Sequence, residues 1–229
     1  LTNRTLAADI LGKLPLFRHT APARLAEIAR QARTEHVLRG AVIARRGEKP
    51  RGLMAVAYGL VKLSLKGETE KVLRLVGPGE TFAEAVLFLD KPLPVDAVAL
   101  ADTLLVVVKA APLLALIDAD RAFARGLLAS MSQRMHELVM DFEATTQHGA
   151  RERLAAYLDS LAPPGVAEAA VQLPASKTVI AARLGVTKET LSRLLRQLGD
   201  EGLIAMAKRD ITLRDRSRLA AAARGGRPA

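Results

Sequence analysis

One stretch of the sequence leaves little choice of local structure: Ser176-Lys-Thr-Val-Ile-Ala-Ala-Arg-Leu-Gly-Val-Thr-Lys-Glu-Thr-Leu-Ser-Arg-Leu-Leu-Arg-Gln-Leu198. Ser176 can cap a helix that carries Ile180 and Leu184 inward. Gly185 supplies the left-handed residue that ends it, and Thr187 can cap a second helix two residues later. Two helices joined by so short a Gly-containing turn form a helix-turn-helix. In the second helix Leu191, Leu194, Leu195 and Leu198 fall at i, i+3, i+4 and i+7, an apolar face that has to be buried. Glu189, Ser192, Arg193 and Arg196 repeat that spacing on a different face, with Lys188 beside them at the start.

That second face carries the donors and acceptors that base edges in a major groove require. Arg193 can bind guanine through two parallel hydrogen bonds, and Glu189 can accept from the exocyclic amine of cytosine. A carboxylate turned toward a polyanion is costly unless it gains such a bond, which makes Glu189 the residue to explain. Ser176, Lys177, Thr187, Lys188 and Arg196 are expected to touch DNA without reading it. Farther on, Glu201-Gly-Leu-Ile204 and Lys208-Arg-Asp-Ile-Thr-Leu213 predict a wing-like hairpin whose basic tip, Lys208 and Arg209, touches phosphate. Lys and Arg exceed Asp and Glu by 34 to 24 over the 229 residues. From residue 149 onward they number 14 against 8, so the excess is densest where the helix-turn-helix lies.

Upstream the texture changes. Between about Val37 and Val108 seven glycines punctuate short β-rich pieces such as Val61-Lys-Leu-Ser-Leu65 and Lys71-Val-Leu-Arg-Leu-Val76. Short strands with turn residues at such intervals predict a β-sandwich or small barrel. Before them, Thr20 as an N-cap and an early Pro22 predict a helix to about Ala32. From Ala111 to Gln147 the chain reads as helix, and Leu128, Met131, Met135, Leu138 and Phe142 step along it by 3 and 4 residues. This seam suits a helix packed in its own domain or one paired with its copy in a homodimer, and spacing does not decide between them. From Ala150 the chain is read as helical, broken by Ala162-Pro-Pro-Gly165, then helical again, with Leu219–Ala229 expected to fray. The division is therefore 1–110, 111–147 and 148–229, in an α+β protein.

Other chemistries are excluded or thinly supported. There is no Cys, which removes disulfides, thiolate zinc sites and any iron–sulfur cluster held by the chain's own thiolates. No apolar run approaches the roughly 18–20 residues of a membrane span. Leu1–Phe17 contains Arg4, Asp9 and Lys13 with no apolar signal core, so a cytoplasmic protein with no membrane partner is expected. Gly77-Pro-Gly79 lacks the third Gly of a dinucleotide fingerprint, and Glu68-Thr-Glu70 reads as a solubilising hairpin turn.

Several motifs together resemble the Crp/Fnr family of bacterial transcription regulators, from about Leu14 to Arg214. They are Leu38-Arg-Gly40, Arg46-Gly-Glu48, Gly59-Leu-Val-Lys62, Gly77-Pro-Gly-Glu-Thr-Phe-Ala-Glu84 and the helix-turn-helix itself. The resemblance implies an N-terminal cyclic-nucleotide-binding-like β-roll (jelly roll), a long dimerisation helix and a C-terminal winged helix-turn-helix. It implies a homodimer, double-stranded DNA and RNA polymerase as partners, and no enzyme activity. Glu189-Thr-Leu-Ser-Arg193 is similar to the signature of the anaerobic-regulator branch, which implies TTGAT-like inverted repeats read by Glu189, Ser192 and Arg193.

The same resemblance frames the effector. Nucleotide-binding members hold ribose and cyclic phosphate with a Gly-Glu pair and a later Arg-Ser or Arg-Thr pair. Here Glu84 is kept, Ala83 replaces the Gly, and Pro94-Val95-Asp96 stands where the Arg-Ser should fall, so cyclic AMP is not expected. Thr81-Phe-Ala-Glu-Ala85 and Phe88-Leu-Asp90 are similar to the Dnr, nitrogen-oxide-responsive branch, which implies an effector pocket at Phe82, Glu84 and Phe88 and nitric oxide sensed through haem. The available haem ligands are His19, His36, His136, His148 and the Met residues, with His136 on the long helix the first to test. The chain departs from that branch at Leu14-Pro15, where the branch has a histidine. Two alternatives remain at this level: an effector-independent DNA-binding repressor with a degenerate pocket, and a cupin-like enzyme with a basic appendage.

Overall fold

The computed structural model describes residues 3–18 and 20–224, and the candidate ligand His19 lies outside them. Contacts divide the chain into a first unit of Leu1–Gly67 with Leu73–His136 and a second of Glu68–Val72 with Glu137–Ala229.

The first unit begins with α1 (Asn3–Lys13), a 3-10 turn at Pro15–Phe17 and α2 (Pro22–Gln31). Eight strands follow: β1 (Arg33–Val37), β2 (Val42–Ala44), β3 (Leu53–Tyr58), β4 (Val61–Leu65), β5 (Lys71–Val76), β6 (Thr81–Phe82), β7 (Asp96–Ala99) and β8 (Thr103–Val108). The short α3 (Glu84–Phe88) interrupts them, and α4 (Ala110–Ala119) and α5 (Arg121–Gln147) come after. The strands make two four-stranded sheets, ordered β1-β8-β3-β6 and β2-β7-β4-β5. The expected β-roll is therefore present, with Val61–Leu65 and Lys71–Val76 both in strands.

Strands β3 and β8 are buried on both faces, and the period of two sorts their side chains between two cores. Leu53, Ala55, Val106 and Val108 face a helical cluster with Leu11, Phe17, Leu113, Phe123 and Leu127. Met54, Val56, Leu105 and Val107 face an inter-sheet cluster with Ile43, Val61, Val76 and Phe82. The Phe17 and Phe123 rings stack at 5.3 Å, so the first turns of α5 are fixed to the outer face of the roll. Gly59 turns β3 into β4 at φ 95°, and a Cβ there would lie 2.4 Å from Thr103 Oγ1. Only glycine fits that turn.

Two local expectations fail. Thr20 does not cap α2: Ala21 holds the N-cap position without a side-chain bond, and Pro22 starts the helix. Pro at the first position already removes one orphan N–H, and the Thr20 hydroxyl is buried with no partner among the described residues. The helical stretch after Ala110 is also two helices. Asp120 leaves helical geometry at φ −134°, and its Oδ1 accepts from the N–H of Ala122 and Phe123 at 2.9 and 3.0 Å, starting α5 afresh.

The second unit holds α6 (Ala150–Ser160), β9 (Ala169–Gln172), α7 (Lys177–Leu184), α8 (Lys188–Asp200), β10 (Ile204–Ala207), β11 (Asp210–Leu213) and α9 (Arg216–Ala223). Strand β9 lies in a stretch read as helix, and it completes a sheet ordered β10-β11-β9. Its four residues alternate buried and exposed, too short a pattern to stand out in sequence. The expected fraying from Leu219 is also corrected as far as Ala223. Asp215 caps α9 through the N–H of Arg218 at 2.9 Å, Arg216 Nε donates to Asp159 at 2.7 Å, and Leu219 and Ala222 are buried. No helix among the described residues is long and apolar enough to cross a membrane.

In α6 the Tyr157 hydroxyl is buried with no hydrogen-bond partner among the described residues. Burial pushes its pKa up to about 12, with nearby Arg183 drawing it partly back. The folded phenol keeps its proton where the unfolded one, near 10, loses it. Stability from this group is therefore full below that value and falls as pH rises from about 10 toward about 12. Tyr157→Phe is expected to keep or raise stability by up to ~1 kcal/mol at neutral pH, since it removes an unsatisfied hydroxyl. It should also flatten the alkaline loss, as read by urea unfolding across pH.

Candidate nucleic-acid interface and sensor pocket

The helix-turn-helix forms as its caps require. Ser176 Oγ accepts from Val179 N–H at 3.4 Å, Gly185 closes α7 at φ 67°, and Thr187 Oγ1 accepts from Thr190 N–H at 3.2 Å. Ser176 and Thr187, expected at DNA, are thus both helix caps. Their hydroxyls already satisfy the first turns and stay exposed at the helix N-termini. Leu191, Leu194, Leu195 and Leu198 are all buried, each contributing about 1.5–3 kcal/mol. That burial fixes the rotation of α8, so Lys188, Glu189, Arg193 and Arg196 are exposed and Ser192 is half-buried. Among the described residues, none of those four exposed side chains has a hydrogen bond or ion pair. Lys177 is half-buried in the first turn of α7.

The wing is the two-residue hairpin between β10 and β11, with Ala207 opposite Asp210. Its first loop residue, Lys208, takes φ 59°, the positive value such a loop demands there. Lys208 is exposed at the tip. Arg209 is committed elsewhere: its guanidinium donates to the Leu173 carbonyl at 2.6 and 3.1 Å, tying the tip to the end of β9. Of the expected basic pair, Lys208 is the one left for phosphate.

The three expected pocket residues occupy different surroundings. Phe82 belongs to the inter-sheet cluster, and Phe88 packs against the helical cluster. Glu84, between them at the start of α3, is buried and ion-paired with Arg134 of α5. Arg134 also donates to Thr81 Oγ1 at 2.8 Å. Sequence spacing marked Arg134 only as off the seam; no local signal shows that it folds back onto a carboxylate fifty residues away. Ala83 adopts φ 70°, a left-handed backbone that glycine takes more readily. Asp96 accepts from the Arg46 N–H at 2.8 Å and pairs with Lys66. The Arg46 hydrogen bond holds its carboxyl below the usual range, so Asp96 is anionic at neutral pH.

Comparison with known proteins agrees with this arrangement. A cyclic nucleotide-binding domain model matches residues 34–120, and a Crp-like helix-turn-helix domain model matches 152–222. A cyclic AMP receptor protein of Thermus thermophilus is 29% identical over 207 residues, covering 90% of this chain and 94% of that protein. The solved catabolite activator protein of Thermus thermophilus is 30% identical, covers 92% of this chain and 99% of its own, and superposes with a TM-score of 0.51. FixK2 from Bradyrhizobium japonicum is 26% identical and superposes with a TM-score of 0.74, covering 86% and 98% of the two chains. The chain belongs to the Crp/Fnr family. It is a DNA-binding transcription regulator with a cyclic-nucleotide-binding-type sensor domain, and not an enzyme. The cupin-like alternative is thereby set aside.

In this Crp/Fnr regulator α5 has two working faces. Phe123 and Leu127 are buried in the helical cluster, and Met131 packs partly against it, so Met131 belongs to the inward face rather than wholly to the seam. Leu128, Met135, Leu138 and Phe142 are exposed, from 64% to 71%, together with Val139 and Met140. Helical spacing alone could not separate these faces, because a 3,4 step serves either.

Lys208→Gly tests the wing. Glycine accepts the positive φ without strain, so stability should stay within about 1 kcal/mol of wild type or rise. Affinity for duplex DNA should fall across all sequences, with the slope of log K against log salt reduced by about 1 per protomer. An unchanged slope in a salt titration would remove Lys208 from the contact surface.

Proposed function

We propose that this regulator is a homodimer that reads an inverted DNA repeat through α8, with Glu189, Ser192 and Arg193 at base edges and half-sites resembling TTGAT. The observation that carries this reading is the exposed polar face of α8, whose rotation the buried leucines fix and whose charged groups have no partner among the described residues. Arg193 offers two parallel donors to guanine, and Glu189 an acceptor to cytosine. Lys177, Lys188, Arg196 and Lys208 supply charge for phosphate, and the N-termini capped by Ser176 and Thr187 add backbone donors. Two-fold readout needs two protomers. The exposed apolar stripe Leu128, Met135, Leu138 and Phe142 is where a second copy of α5 would pack, with Met131 at its edge. Contact with RNA polymerase follows from the family.

The effector differs from that named for the cyclic AMP receptor relative. Ala83 and anionic Asp96 stand where a nucleotide's cyclic phosphate would need close backbone and a cation, so cyclic AMP is not the ligand. Haem, the route by which nitric oxide would be sensed, finds no enclosed site at His36 or His136 within one protomer. His36 is exposed on β1 and shares a 3.2 Å hydrogen bond with the Tyr58 hydroxyl. His136 is exposed on α5, where no protein surface encloses a macrocycle beside it. Among the described residues no His, Asp or Glu cluster is arranged to hold a metal.

Two measurements check these points. Arg193→Ala should cost ~1–3 kcal/mol per half-site and relax discrimination at the guanine, read by titrating a TTGAT-type inverted repeat and its single-base variants. Discrimination left intact would overturn the base-reading assignment. Titrating the full-length protein with haemin should give no Soret band saturating at one equivalent. A stoichiometric band abolished by His136→Ala would restore haem as the cofactor.

A further inference from the structure

The Glu84–Arg134 pair has properties that an ordinary surface bridge lacks. The Glu84 side chain is 6% exposed, and its Oε2 has no hydrogen-bond partner among the described residues. A buried carboxylate of this kind is tolerable only beside a cation, and removing one partner of such a pair strands the other's charge. The cation comes from the middle of the long helix α5. The same guanidinium holds Thr81 Oγ1 at 2.8 Å, while Arg74 of β5 holds the Thr81 carbonyl at 3.1 Å. Strand β6 and the start of α3 are therefore clamped by two arginines, one from the sheet and one from α5.

Position along α5 makes the contact selective. Arg134 continues the inward series Phe123, Leu127 and Met131, and lies next to Met135 of the exposed stripe. Phe123 and Leu127 hold the first turns of α5, so a modest bend or twist of the helix beyond them withdraws the guanidinium from Glu84. The geometry points to Arg134 as the sensor pocket's built-in occupant: it takes the buried carboxylate that an incoming ligand would have to engage, and it locks α5 to the roll in one rotational setting. An effector of this chain, whatever its identity, acts by displacing Arg134 from Glu84. The released α5 then changes the presentation of its apolar stripe, and with it the spacing of the two recognition helices in the dimer. That last step rests on the proposed dimeric DNA reading; the lock itself rests only on the first unit's geometry.

Hydrogen–deuterium exchange on the full-length protein tests the lock, and titration of the TTGAT-type inverted repeat tests its consequence. Arg134→Gln should accelerate exchange at residues 81–88 and 130–136 at least tenfold. The double variant Arg134→Gln with Glu84→Gln should exchange more slowly than Arg134→Gln alone, because it leaves no stranded buried charge. Size-exclusion chromatography should show the wild-type assembly, and affinity for the repeat should shift at least threefold. Wild-type exchange in Arg134→Gln would overturn the lock, as would faster exchange with operator affinity unchanged within twofold. If Arg134→Gln yields no folded protein, Glu84→Gln alone removes the charge while keeping shape, and it is read by the same thresholds. Should wild-type protein itself not bind the repeat, the DNA reading fails while the exchange arm still judges the lock.

Discussion

Everything in the first unit depends on two strands that have no solvent face. Strands β3 and β8 send alternate side chains into two different cores, so the roll closes on one side while helices must cover the other. Those helices include the first turns of α5, anchored by Phe123 stacked on Phe17 and by Leu127. A helix fixed at that end and apolar on its far side becomes the natural carrier of whatever happens in the roll. The sensor and the long helix are thus mechanically joined by packing before any ligand is considered.

On that frame the start of α3 is held by the protein's own groups. Ala83 holds a left-handed conformation that glycine would adopt freely, and Glu84 beside it is buried. The retained carboxylate is explained by Arg134, which supplies from α5 the positive charge that burial demands. The chain thus has the family's architecture with an internal ion pair at the start of α3.

In the second unit the same logic of burial orients the reader. Four leucines must be hidden, and hiding them leaves Glu189, Arg193 and Arg196 exposed in one row. Stability and the proposed DNA readout lie on opposite sides of one helix, so substitutions on the polar side should cost folding little.

Much of this was legible in the amino-acid sequence because it is written in local spacing. Caps at Ser176 and Thr187, the turn at Gly185, the leucine face of α8, strands β4 and β5 and the wing hairpin all follow from residues within one or two turns of each other. Strand β9 was not legible: four residues of Ala, Val and Gln carry almost no pattern, and the strand exists because β11 offers it an edge. Nor was the break at Asp120, where a carboxylate caps a helix in the middle of a helical stretch. The two faces of α5 share one 3,4 periodicity, and only packing on the roll shows that Met131 turns partly inward while Leu128, Met135, Leu138 and Phe142 stay out. The sequence by itself determined the helix caps, the turn at Gly185 and the polar face of α8, since those depend on neighbours along the chain. Tertiary structure alone decided that Arg134 meets Glu84 and that Arg209 is tied to Leu173, because pairings between residues 36 and 50 positions apart leave no periodic trace.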